Sequence, residues 1–183
     1  MCRAMPSSTW RPSPWIGRED TGRESDEVTI WVDADGLPAK MRHIVEKASR
    51  RTGTGSVFVS DRGLPIEERG PVSLAPVETG EDSADEYICG HCREGDLAVT
   101  RDVFLSERLV ERGVLVLDDR GGVYTEENIR ERVSVRERMK EFRDLGLQPE
   151  ESGGRKGRLN ERDVRAFAEA LDRELSRLLR RGS

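Results

Sequence analysis

The apolar positions of this chain fall in short unbroken runs separated by stretches of a different period. Val28-Thr-Ile-Trp-Val32, Val57-Phe-Val59, Leu97-Ala-Val-Thr100 and Val114-Leu-Val-Leu117 are rich in β-branched residues and carry no charge. Runs of this kind are strands covered on both faces, as in a parallel sheet. Val72-Ser-Leu-Ala-Pro-Val77 is a further strand, with Pro76 confining its end to a sheet edge or a loop. Between the runs the pattern changes to that of helices. Met41, Ile44, Val45 and Ala48 lie at i, i+3, i+4 and i+7 after Pro38, and Gly53 closes the segment. Asp82-Ser-Ala-Asp-Glu-Tyr-Ile88 opens with acids, as the positive end of a helix favours. Leu105, Leu109 and Val110 mark another helix, stopped by Gly113.

Beyond Asp118-Asp-Arg-Gly-Gly122 the pattern is wholly helical. It begins at Thr125, Ser134-Val-Arg-Glu137 reads as a capping box, and Gly146 supplies a stop. Asn160 caps a last helix whose inner stripe is Val164, Phe167, Ala168, Leu171, Leu175 and Leu178. Strands alternating with amphipathic helices predict an α/β fold: a three-layer α/β/α domain with a largely parallel central sheet and a C-terminal helical segment. A chain of 183 residues fits one such domain, expected over 28–181 with its C-terminal helices from about 125. Residues 1–27, with Pro6, Pro12 and Pro14, read as a disordered leader.

Charge changes this picture by its distribution. The net charge is −5, yet the segment from Arg130 onward carries 15 basic and 11 acidic side chains, which leaves the preceding residues strongly acidic. A basic rear suits contact with a phosphate backbone, and equally a solvated helix face. Three cysteines, Cys2, Cys89 and Cys92, form no disulfide framework. With no apolar export segment and no run long enough to span a bilayer, the expected setting is the cytoplasm, with no membrane partner.

The acids cluster where an α/β sheet places ligands, beyond the carboxyl ends of strands. Asp33 and Asp35 end the first strand, Asp82, Asp85 and Glu86 open a helix, and Asp102 follows the strand that ends at Thr100. Asp33 and Asp35, two apart, converge if the strand continues through Ala34. Carboxylates held together repel one another unless a cation or a proton lies between them. Asp33, Asp35, Asp85 and Asp102 are therefore candidate catalytic residues, and with Asp82 and Glu86 candidate ligands for Mg²⁺ or Mn²⁺. The chemistry this implies is metal-assisted phosphodiester hydrolysis, on RNA rather than DNA. Thr100, Arg101, Arg120, Arg155, Lys156 and Arg158 are candidates for positioning substrate. Taken singly, each acid has a plainer role: Asp35 starts a turn, and Asp82, Asp85 and Asp102 cap helices. Asp96 precedes its strand and belongs to the opposite edge. Cys89-Gly-His-Cys92 has the spacing of a dithiol or half a zinc site, but no second pair completes it.

Val32-Asp-Ala-Asp35, Asp82-Ser-Ala-Asp85, Gly95-Asp-Leu-Ala-Val-Thr-Arg-Asp102, Arg120-Gly-Gly-Val-Tyr-Thr125, Asn128-Ile129 and Asp163-Val-Arg-Ala-Phe-Ala168, in that order, resemble the bacterial YaiI/YqxD family from about Val28 to Leu175. The resemblance implies a PIN-like fold, whose nuclease members gather acids around Mg²⁺ or Mn²⁺, and Thr100-Arg-Asp102 resembles their acidic element. The chain departs from the family pattern at Gly36-Leu37-Pro38, where relatives tend to carry Ala-Cys-Pro, and at Phe104, where they carry proline. The rival functions are a non-catalytic nucleic-acid- or protein-binding module, and a small-phosphate hydrolase using the same ions.

Overall fold

The computed structural model describes residues 27–80, 82–146 and 159–181. Apart from Glu27, the expected leader lies outside these residues. Six strands form one sheet: β1 (Thr29–Asp33), β2 (Gly55–Ser60), β3 (Val72–Pro76), β4 (Leu97–Val99), β5 (Leu115–Leu117) and β6 (Val123–Tyr124). Their spatial order is β3-β2-β1-β4-β5-β6. The first five are parallel, and β6 runs antiparallel to β5. Five helices pack against the sheet or one another: α1 (Ala39–Thr52), α2 (Ser83–His91), α3 (Val103–Val110), α4 (Glu126–Asp144) and α5 (Glu161–Arg181).

Alternation along each strand divides the interior into two cores. Ile30, Val32, Phe58, Leu97, Val99 and Leu117 face Met41 and Val45 of α1 and Phe167, Leu171 and Leu175 of α5. Trp31, Val57, Val59, Ala98 and Val116, on the other face, meet residues of α2, α3 and α4, among them Ile88, Leu105, Leu109 and Ile129. Both faces of the central strands are thus covered, which is why their sequences are apolar without interruption. The result is the expected three-layer α/β fold. Pro76 ends β3, which is the edge strand, so its missing N–H costs the sheet no bond. No helix among the described residues is long and apolar enough to cross a membrane.

Two helical expectations require correction. Ser134 does not cap anything: it lies inside the continuous α4, and its hydroxyl donates to the Arg130 carbonyl one turn back. The cap is one helical start earlier, where the Thr125 N–H donates to Asn128 Oδ1 and the Asn128 N–H donates to Thr125 Oγ1. β6 also interrupts the segment expected to be wholly helical. It is held by a tight loop in which Asp118 Oδ1 accepts the N–H groups of Arg120 and Gly122. Two residues of strand carry no readable period. The reciprocal cap at Asn160 and Asp163 does form, with the Asp163 N–H on Asn160 Oδ1 at 2.9 Å.

β1 is the strand at which the order reverses, since the chain runs outward through β2 and β3 on one side and through β4 and β5 on the other. The crevice between the carboxyl ends of β1 and β4 is the place where such sheets bind ligands.

Candidate functional site

Asp33 is the last residue of β1, and Thr100 is the first beyond β4. The register that sets Val32 opposite Val99 brings these two side by side. The buried Thr100 hydroxyl donates to Asp33 Oδ2 at 2.8 Å and accepts the Asp102 N–H at 3.0 Å. The Thr100 hydroxyl is therefore occupied with Asp33 and the backbone of Asp102. Asp102 caps α3, with Oδ1 accepting from Phe104 N–H at 2.7 Å and Leu105 N–H at 3.0 Å. Both bonds fall on one oxygen, and among the described residues Oδ2 accepts none.

Asp85 enters from the first turn of α2. Among the described residues it has no hydrogen-bond or ion-pair partner. Partial burial, and after it the charges of Asp102, Asp33 and Asp82, push its carboxyl up to about 6, opposed in part by the Arg108 guanidinium. Burial also raises the Asp33 carboxyl. There the hydrogen bonds from Thr100 and the Gly36 backbone act against the rise, while the charges of Asp35 and Asp102 add to it. Asp33, Asp85 and Asp102, from three separate segments, thus lie in one another's field.

The other candidate acids are placed differently. β1 ends at Asp33 and a turn begins at Ala34, so the geometry that would align Asp35 with Asp33 does not persist. Asp35 turns toward the exit of β2, accepting from the Ser60 hydroxyl at 2.7 Å and the Asp61 N–H at 2.8 Å, with Arg62 Nε 3.8 Å away. Asp82 precedes α2 in the left-handed backbone region and makes no capping bond with its side chain. It and Glu86 are exposed, and the charge of Asp82 acts on Asp85. Among the described residues no group of three His, Cys, Asp or Glu side chains is gathered closely enough to form a ready metal cage.

Arg101 pairs with the buried Asp119 at 3.1 Å and reaches the Gly36 carbonyl at 3.5 Å, bridging the exits of β1 and β5. Arg120 is half-buried in the same loop, and Arg155, Lys156 and Arg158 lie outside the described residues. Asp118 and Asp119 were missed by the sequence reading, although the strand-exit rule that picked out Asp33 and Asp102 applies equally after β5. Cys89 and Cys92 are free and buried in the α2 side of the core, where burial pushes both thiols up. They pack as small apolar groups.

The chemistry of this donor set suits a hard divalent cation: carboxylate oxygens that repel one another, at a polar crevice, with one oxygen of Asp102 and both of Asp85 uncommitted among the described residues.

The family model described as "uncharacterized BCR, YaiI/YqxD family" matches residues 31–177. A UPF0178 protein of Myxococcus xanthus is 45% identical over 82% of this chain and 96% of its own. Another from Treponema pallidum is 42% identical over 84% of each chain, and one from Geobacter sulfurreducens is 40% identical over 83% and 99%. No solved structure matches.

Proposed function

The chain belongs to the YaiI/YqxD family, and for this member we propose a divalent-metal-dependent nuclease of PIN-like type acting on RNA, with Asp33, Asp85 and Asp102 as its working carboxylates. The observation that carries this reading is that Asp33, Asp85 and Asp102 come from three separate segments at the β1/β4 crevice, where Asp102 raises the carboxyls of Asp33 and Asp85 and Asp33 raises that of Asp85, with the Asp85 carboxylate having no partner among the described residues. A carboxylate left so is costly to a fold that does not use it, because burial and like charge both oppose its ionised form.

Mg²⁺ or Mn²⁺ bound there would offset the charge of a phosphodiester and make water a better nucleophile at neutral pH. The chain's own residues do the rest. Thr100 fixes the Asp33 carboxylate and the backbone of Asp102 with a single hydroxyl, so the two acids keep a constant relation. The N–H groups at the start of α3 orient Asp102 through one oxygen and leave its second without a partner among the described residues. Asp85 holds a proton until the pH passes about 6, and above that contributes a full negative charge. Asp35 acts at a distance, by charge on Asp33, and Arg101 keeps the exits of β1 and β5 together.

The test is incubation of the full chain with labelled single-stranded and structured RNA, with Mn²⁺, Mg²⁺ or chelator, beside Asp33→Asn and Asp85→Asn. The expected result is metal-dependent cleavage that both substitutions abolish while the melting transition persists. Cleavage unchanged in the two variants would remove this assignment.

A further inference from the structure

We propose that the outward face of α3 beside the acid pocket is a stacking site for an unpaired nucleobase, with Phe104 as the platform and Arg108 holding the adjoining phosphate. This deepens the reading above, on which it rests for the presence of a nucleic-acid strand at the crevice, and it defines the substrate class as single-stranded.

Phe104 is a large apolar side chain left 39% exposed in a charged neighbourhood. Its own N–H donates to Asp102 Oδ1 at 2.7 Å, so the ring is anchored one hydrogen bond from a pocket carboxylate. The inner face of α3 is already filled by Leu105, Ser106, Leu109 and Val110. Helical spacing therefore turns positions 104 and 108, four apart, outward together, and both are exposed. Arg108 is close enough to Asp85 for its charge to act on that carboxylate. An aromatic face and a guanidinium thus share the exposed side of the helix that Asp102 caps, with Arg108 within reach of the Asp85 charge. The other exposed large apolar side chains among the described residues, Val135, Phe142 and Leu145, lie in the far half of α4 or just past it.

This pair of groups selects by chemistry. A free phosphate or small ester can use Arg108 but leaves the ring in water. A duplex keeps its base faces stacked on one another and has none to offer. A single strand presents a phosphate and an open base at neighbouring positions, and every base has a face to stack. Phenylalanine carries no donor or acceptor, so the site tolerates any base.

The experiment is equilibrium binding with Ca²⁺ present to offset the pocket carboxylates, using the full chain and a short fluorescein-labelled oligouridylate, beside an abasic strand of equal length and a matching RNA duplex. The base-bearing strand is expected to bind roughly tenfold more tightly than the abasic one, the scale of one stacked base. Phe104→Leu, apolar but flat-faced no longer, is expected to erase that difference with an unchanged melting midpoint, and Phe104→Trp to keep it. Equal binding of the two strands by the unaltered chain, or a preference that survives in Phe104→Leu, overturns the proposal. Because this measurement needs no turnover, a base preference without metal-dependent cleavage would remove the nuclease and leave the platform. Cleavage without the preference would do the reverse.

Discussion

Two aspartates at opposite edges of one sheet meet opposite fates. Asp96, at the amino end of β4, is buried, and its carboxylate accepts the Thr29 N–H at 2.9 Å, Trp31 Nε1–H at 3.0 Å and the Arg93 N–H at 3.0 Å. Asp85, at the carboxyl edge, has no such partner among the described residues and takes the repulsion of Asp102 and Asp33. One acid fastens the strands, and the other is held at a cost in stability. Open space does not mark the unanswered acid, since a cleft of about 450 Å³ lies beside Asp96, lined among others by Glu27, Glu94, Arg177 and Arg181. What separates them is whether the surrounding donors have answered the charge.

The contrast predicts opposite responses to mutation. Asp96→Ala should be the most damaging, because it removes the acceptor of three donors, the Thr29 and Arg93 N–H groups and the Trp31 indole; the expected loss is on the order of 3 kcal/mol by denaturant titration. A loss below a few tenths would equate the two edges and break the comparison. Thr100→Val, nearly isosteric, should cost about 1–2 kcal/mol by leaving the Asp102 N–H unpaired, and should raise the Asp33 carboxyl further, which carbon-detected NMR titration would register. Asp102→Ala should cost about 1 kcal/mol as a lost cap, whereas Asp102→Asn retains the capping oxygen and should melt near the unaltered chain.

Asp85→Asn is the smallest effect and the sharpest. With its carboxyl raised to about 6 from the usual 3.8, Asp85 favours the fold in its neutral form. Its contribution is complete below the unfolded value and is lost as the pH climbs through about 6. A permanently neutral amide should therefore raise the metal-free melting midpoint at pH 8 by about 2 °C and leave it unchanged at pH 4. On the proposed function, Mn²⁺ should raise the midpoint of the unaltered chain above pH 6 and lose this effect in the variant. An equal rise in both would move the ion elsewhere.

Much of this was legible in the sequence because it depends on short-range rules. The runs ending at Val32, Val59, Thr100 and Leu117 became strands, and the acids beyond Val32 and Thr100 fell at one edge because parallel strands all exit there. Three features were not legible. Asp35 left the cluster because the backbone turned at Ala34, one residue before strand alternation would have aligned it. Thr100 looked like a substrate contact, and only the β1/β4 register reveals that it joins Asp33 to Asp102. The Ser134 cap failed because Ser-x-x-Glu also occurs within helices, where the hydroxyl bonds one turn back and starts nothing.

Gly121 adopts φ +81°, and a Cβ there would lie 2.5 Å from the Ala166 carbonyl oxygen of α5. The loop that carries Asp119, and through it the Arg101 bridge, thus rests on backbone belonging to the last helix of the described chain. Any side chain at position 121 would have to push α5 away from the loop, so the seating of that helix and the Arg101–Asp119 bridge stand or fall together. A truncation removing Glu161–Arg181 would therefore take away the seat of this loop together with the Phe167, Leu171 and Leu175 wall of one core, so the β5 exit and the sheet face beneath α5 would be lost in one step.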